Sequence, residues 1–165
     1  MGLLQPHGRG HRLFRRDALT QDAPVIIVHS IAHAVAALTA AAEAGRPVTL
    51  ASAPEAGIYG GPGWWRELVA AAREAVPAAR CSAILDCGDD AGAAQGAIRA
   101  GVEAIVFTGR AEIAARLADI AAQAGTSLLT ARSDPALDLG AAFFAASDVL
   151  RRHVADVLAS APPFC

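Results

Sequence analysis

From about Pro24 onward, short uninterrupted apolar runs alternate with longer alanine-rich stretches of helical periodicity. The runs are Val25 to Val28, Val48 to Ala51, Ala83 to Leu85, Ala104 to Phe107 and Ser127 to Leu129. Continuous apolarity suits a strand covered on both faces, and helices between such strands supply parallel crossovers. The pattern therefore predicts an α/β fold with a five-stranded parallel sheet of βα units.

Punctuation between the runs agrees. Ser30 is placed to cap a helix through Ile31, Val35 and Leu38, which Gly45-Arg46-Pro47 stops. A second helix is predicted from near Pro62-Gly63 through Leu68, Val69 and Val76 to Pro77. Asp89 or Asp90 can cap a third that ends at Gly101, and a fourth carries Ile113, Leu117 and Ile120 and ends at Gly125. The most strongly periodic segment runs from about Leu139 to Ala159, with Leu139, Phe143, Ala146, Leu150, Val154 and Leu158 on one face, and predicts a long C-terminal helix.

A chain of 165 residues suits one core. The expected organisation is an N-terminal arm over 1–23, a single α/β domain over 24–160 and a tail over 161–165. Charged residues make up 18% and aromatics 5%, so the helices are expected to be slim and alanine-faced. The net charge of -2 and scattered arginines leave no footprint for nucleic acid. The basic cluster Arg9, Arg12, Arg15 and Arg16 reads as a solvated arm. Apart from histidine, all 14 basic residues are arginine, which excludes Schiff-base chemistry and a phosphate-loop lysine. No GxGxxG, GxSxG or phosphate-loop pattern occurs. Cys81, Cys87 and Cys165 form no CxxC pair, so a reducing, cytoplasmic setting is expected, with neither disulfide framework nor zinc knuckle. Neither a secretory leader nor a membrane-spanning run is read in the sequence.

The loop after the second run reads Ser52-Ala53-Pro54-Glu55-Ala56-Gly57-Ile58-Tyr59-Gly60-Gly61-Pro62. The third run ends Asp86-Cys87-Gly88, and the fourth, Ala104 to Phe107, leads into Thr108-Gly109. In order and spacing, Val25 to Leu129 resembles the first half of a class II fructose-bisphosphate aldolase barrel. That family has a Ser-Ala-Gly-Ala-x-x-Tyr-like loop, an Asp-His-Gly at the end of the third strand and an Asp-Gly-Ser at the end of the fourth. The resemblance implies a partial TIM-barrel-like arc, with a flavodoxin-like doubly wound open sheet as the alternative.

By the same resemblance, Asp86 stands at the proton-transferring position, and Cys87 replaces a zinc-binding histidine. Thr108 replaces the fourth-strand Asp, and Ser52 and Thr108 lie at the strand ends of the implied pocket. The stretch Ser127-Leu128-Leu129-Thr130-Ala131 lacks the expected acidic residue, and the later metal histidines and phosphate loops have no counterpart. Zinc or another divalent metal would need Cys87 together with His29 and His33; the competing readings are a buried apolar Cys87 and a His33 on a helix face. Trp64 and Trp65 are expected in packing rather than in substrate stacking.

Five βα units cannot close a barrel, because closure links strand number, tilt and shear. Inward side chains such as Ile84 and Val106 then need a cover: a second copy of the chain, the C-terminal helix laid across the arc, or a rearranged open sheet. The expectation is a homo-oligomeric arc with helical cover. Its function is expected to be a non-catalytic binding or regulatory module without a cofactor, taking a small-molecule ligand. The alternative is a small metal-dependent lyase or isomerase with a site rebuilt at a subunit interface.

Overall fold

The computed structural model describes residues 23–162, so most of the arm and the last three residues of the tail lie outside the described residues. The elements run β1 (Val25–Val28), α1 (Ile31–Ala44), β2 (Val48–Ser52), α2 (Ala56–Tyr59), α3 (Gly61–Ala75), β3 (Cys81–Asp86) and α4 (Ala91–Arg99). They continue with β4 (Ala104–Val106), α5 (Ala111–Ala124), β5 (Ser127–Leu129), β6 (Leu137–Asp138), a 3-10 turn (Leu139–Ala142) and α6 (Ser147–Ser160). All pairings are parallel, in the order β5-β4-β3-β2-β1-β6.

Each strand from β1 to β5 lies beside its sequence neighbour, which is the order of a barrel arc and not the 2-1-3-4-5 order of a flavodoxin-like sheet. Right-handed crossovers in one direction put every helix on one face. The alternation of side chains makes the division visible. Ile26, Val28, Val48, Leu50, Ala83, Leu85, Ile105 and Phe107 join the large core under the helices, whereas Ile84, Ala104 and Val106 form a small separate cluster with Leu129.

Local signals explain most boundaries. Ser30 caps α1 by accepting the His33 N–H at 3.3 Å, and Asp90, rather than Asp89, caps α4 by accepting the Ala93 N–H at 2.7 Å. The second predicted helix is α3, which starts at Gly61 as expected near Pro62-Gly63; the preceding loop holds an additional single turn, α2. Trp65 is buried in the core from α3, while Trp64 is 39% exposed.

The C-terminal region differs most from expectation. The helix begins at Ser147 rather than near Leu139, because Leu137 and Asp138 first pair with Ile26 and Ile27 as a sixth strand. The Ala136 N–H also donates to the Val25 carbonyl at 2.8 Å. These bonds satisfy an edge of β1 that would otherwise be open. In a closed eight-stranded barrel the last strand holds that place beside the first. Here β6 follows β5 directly, and β5 and β6 remain the two unpaired edges of the sheet.

Helix α6 buries Leu150, Val154 and Leu158 and packs on α1 in the helix layer, not across the arc. Arg46 donates to the carbonyls of Leu158, Ala161 and Pro162, which serves the orphan acceptors at the end of α6 and ties down the start of the tail. The cover over the inner face comes instead from the 130–136 connection, whose residues Arg132 to Pro135 face Ile84 and Val106 across a cavity. Ile84 and Val106 are thereby 5% and 4% exposed within a single chain. No helix among the described residues is long and apolar enough to cross a membrane.

Candidate functional site

Parallel α/β sheets gather chemistry at the carboxyl ends of their strands, where Asp86 ends β3 and Ser52 ends β2. The Ser52 hydroxyl accepts the Asp86 backbone N–H at 2.9 Å, so the two strand ends are locked in register. The Asp86 carboxylate points to the inner face and is 7% exposed. Its Oδ1 accepts the backbone N–H of Glu55 at 2.9 Å and of Gly88 at 2.8 Å. Glu55 reaches this position in a left-handed conformation, with φ of 62°. Arg132 completes the cluster: its Nε donates to Oδ2 at 2.5 Å and its Nη2 to Oδ1 at 3.0 Å.

Burial disfavours the charge on Asp86, but the Arg132 pairing and the two N–H groups outweigh it and hold the carboxyl below its ordinary range. A general base works best with a pKa near the operating pH and an oxygen free to take a proton. In Asp86, Oδ1 accepts three donors and Oδ2 is paired with Arg132. The residue serves as the hub that fastens the 130–136 connection over the sheet.

Cys87 follows Asp86 and so points to the opposite face. It is wholly buried in the helix-side core, and burial, reinforced by the charges of Asp86 and Asp90, pushes its thiol up to about 12. Gly57 in α2 sits directly over it: a Cβ there would lie 2.9 Å from the Cys87 sulfur and 3.0 Å from the Asp86 carbonyl oxygen. Thr108 is exposed, and its backbone N–H donates to the Gly88 carbonyl at 2.7 Å.

His29 and His33 belong to a second cluster, at the seam between β1 and β6. His29 Nε2 pairs with Asp138 Oδ1 at 2.6 Å. His33 is buried; its Nδ1 accepts the His29 backbone N–H at 3.3 Å, and its Nε2 donates to the Phe143 carbonyl at 3.4 Å. Burial lowers the His33 pKa, which keeps the ring neutral in this role. Desolvation of Asp138 is outweighed by the Gly140 N–H and His29, so its pKa falls as well. Gly140 is needed for close approach, since a Cβ there would lie 2.7 Å from His29 Nε2.

Zinc, which the aldolase resemblance implies, requires donors that converge. Cys87 faces the helices, Asp86 faces the inner cavity, His33 has both ring nitrogens engaged and His29 Nε2 is committed to Asp138. Among the described residues no three His, Cys, Asp or Glu side chains come together. This donor set does not fit the metal.

Beside Asp86 the inner face borders a partly open cavity of about 310 Å³, with Val25, Ile27, Ala51, Ile84 and Val106 as its floor. Ser52, Asp86, Arg132 and Asp134 supply its polar rim. A shallower hollow lies on the shoulder of the mouth between Pro54, Tyr59 and Trp64. Arg132 and Asp138 are the charged partners in these two clusters that the sequence reading did not include. A signal existed for Arg132, three residues past the end of β5 and hence at the carboxyl rim; the two-residue strand bearing Asp138 offered none.

Neither a protein-family model nor a curated protein matches this sequence. Among solved structures, the chain is similar to one from Coccidioides immitis, described provisionally as a fructose-1,6-biphosphate aldolase, with 19% identity and a TM-score of 0.55. The match covers 66% of this chain and 40% of that one. At such identity the likeness is one of fold: an aldolase-like α/β arrangement, spanned over less than half of the other protein's length.

Proposed function

We propose that this protein is a non-catalytic, aldolase-like partial barrel that acts as a small-molecule binding module. The observation that carries the reading is the Asp86 carboxylate, held by Arg132 and by the N–H groups of Glu55 and Gly88. The residue matching the proton-transferring position of the aldolases is thus spent on structure. Cys87, at the matching metal position, faces away from it with a thiol that stays protonated at neutral pH. What remains at the mouth is a shaped cavity with a rigid polar rim, which suits binding. The free Cys81 and Cys87 favour a reducing, cytoplasmic setting.

The test is a retro-aldol assay on fructose 1,6-bisphosphate with and without added Zn²⁺, in the wild type and in Asp86→Ala. No turnover above the blank is expected in any arm. Metal-dependent cleavage that disappears in Asp86→Ala would overturn the proposal.

A further inference from the structure

A closed eight-stranded barrel fills its interior with layers of inward side chains drawn from all its strands. In this chain β6 meets β1 directly after β5, so fewer strands contribute, and the inward positions that remain include small residues. Ala51 is the clearest case. It lies in register between Ile27 of β1 and Ile84 of β3, which leaves a notch between two large side chains. The cavity of about 310 Å³ opens over that notch.

Apolar atoms that line a hollow of this size lack dispersion partners on its open side. A dry cavity of about 150 Å³ lined by aliphatic and aromatic side chains already accepts benzene. The floor here is equally aliphatic, with Val25, Ile27, Ala51, Ile84 and Val106. Its charges are not free to receive a counter-ion: Asp86 and Arg132 neutralise one another, and Asp134 lies exposed to water at the rim. A phosphorylated sugar would place negative charge beside two carboxylates and hydroxyls against methyl groups, with the guanidinium already engaged.

We infer that the inner-face cavity over Ala51 binds an uncharged, predominantly apolar molecule of about one ring, closed in by the Arg132–Pro135 segment. This deepens the binding-module reading and rests on it. The ligand restores the contacts that missing barrel side chains would have made. The Asp86–Arg132 pair is then the fastening that holds the cover in place.

Fluorobenzene serves as the probe, followed by ¹⁹F NMR titration and by the thermal midpoint of the full chain. Saturable broadening and a rise in midpoint are expected for the wild type. Ala51→Leu, which fills the notch, is expected to weaken binding at least tenfold while retaining the native circular dichroism. Ala51→Val, a smaller filling, keeps the test decisive should the leucine variant fail to fold, and an intermediate loss is expected. Absence of saturable binding, or equal binding in both folded variants, overturns the inference. So does displacement of fluorobenzene by inorganic phosphate. Fluorobenzene failing without fructose bisphosphate cleavage removes the apolar-ligand inference alone, whereas cleavage removes the binding-module reading itself.

Discussion

On the helix side of the sheet, Leu50, Leu85 and Ile105 are completely buried in a continuous core with side chains such as Leu38 of α1, Leu68 of α3, Ile98 of α4 and Leu117 of α5. On the other side of the same sheet, Ile27, Ala51 and Ile84 border a cavity whose cover is a stretch of chain pinned by one ion pair. The difference shows how stability and opportunity for binding can be divided between two faces of one sheet. The helix side is close-packed and tolerates no loss of volume; the inner side is unfinished packing beneath a polar strap.

The largest expected effect breaks the packed face. Leu85→Ala should cost about 2–5 kcal/mol, because its surroundings cannot collapse around the void. Ile84→Ala, one residue away but bordering an existing cavity, should cost about 2 kcal/mol or less. Urea denaturation of both variants checks the contrast, and equal losses would erase the distinction between the faces.

Gly140→Ala is expected next in size. The added methyl would sit 2.7 Å from His29 Nε2 and 3.0 Å from Asp138 Oδ1, so the His29–Asp138 pair at the seam must shift. Such overpacking costs about 1–3 kcal/mol. A helix-packed control such as Ala97→Gly should leave the His29 ring resonances unchanged in NMR, while Gly140→Ala should shift them.

Arg132→Ala loosens the strap at a smaller cost, about 1–2 kcal/mol at neutral pH, because the guanidinium is partly exposed and Asp86 keeps its two N–H donors. The pH dependence is more diagnostic. The Asp86 carboxyl is held below its ordinary value, so its contribution is complete above the unfolded value of about 3.9 and is lost as pH falls through the folded value. Urea midpoints between neutral and strongly acid pH should therefore fall less steeply in Arg132→Ala than in the wild type. Identical slopes would mean that the pair contributes nothing to holding the cover.

The smallest effect concerns Cys87. With its thiol pushed up to about 12 and no exposure, Cys87 should be modified by iodoacetamide at mildly alkaline pH only on unfolding, after the partly exposed Cys81. Peptide mass spectrometry reads the order. Rapid labelling of Cys87 in the folded chain would place it on the open face and contradict the division of the sheet.

Much of this was legible beforehand. The apolar runs located β1 to β5, and Ser30 and the acidic pair Asp89-Asp90 marked helix starts, because strands and caps are local patterns a few residues long. The position of Asp86 at a strand's carboxyl end was legible for the same reason. Its present task was not, since the partner Arg132 lies 46 residues away and carries no local mark of the pairing. Cys87 shows a subtler limit: adjacency in sequence suggested a shared site, whereas strand alternation sends neighbouring side chains to opposite faces.

By itself, then, the order of residues determined a sequence of βα units, their parallel direction and the apolar identity of the sheet, because these follow from periodicity and capping within short windows. Tertiary structure alone decided that Leu137 and Asp138 would complete the edge of β1, that α6 would settle on α1, and that the 130–136 connection would roof the inner face. Those outcomes depend on which open edges and apolar surfaces meet in space. Hydrogen bonds left unpaired on β1 and methyl groups left bare on β3 and β4 find their partners wherever the folded chain brings them.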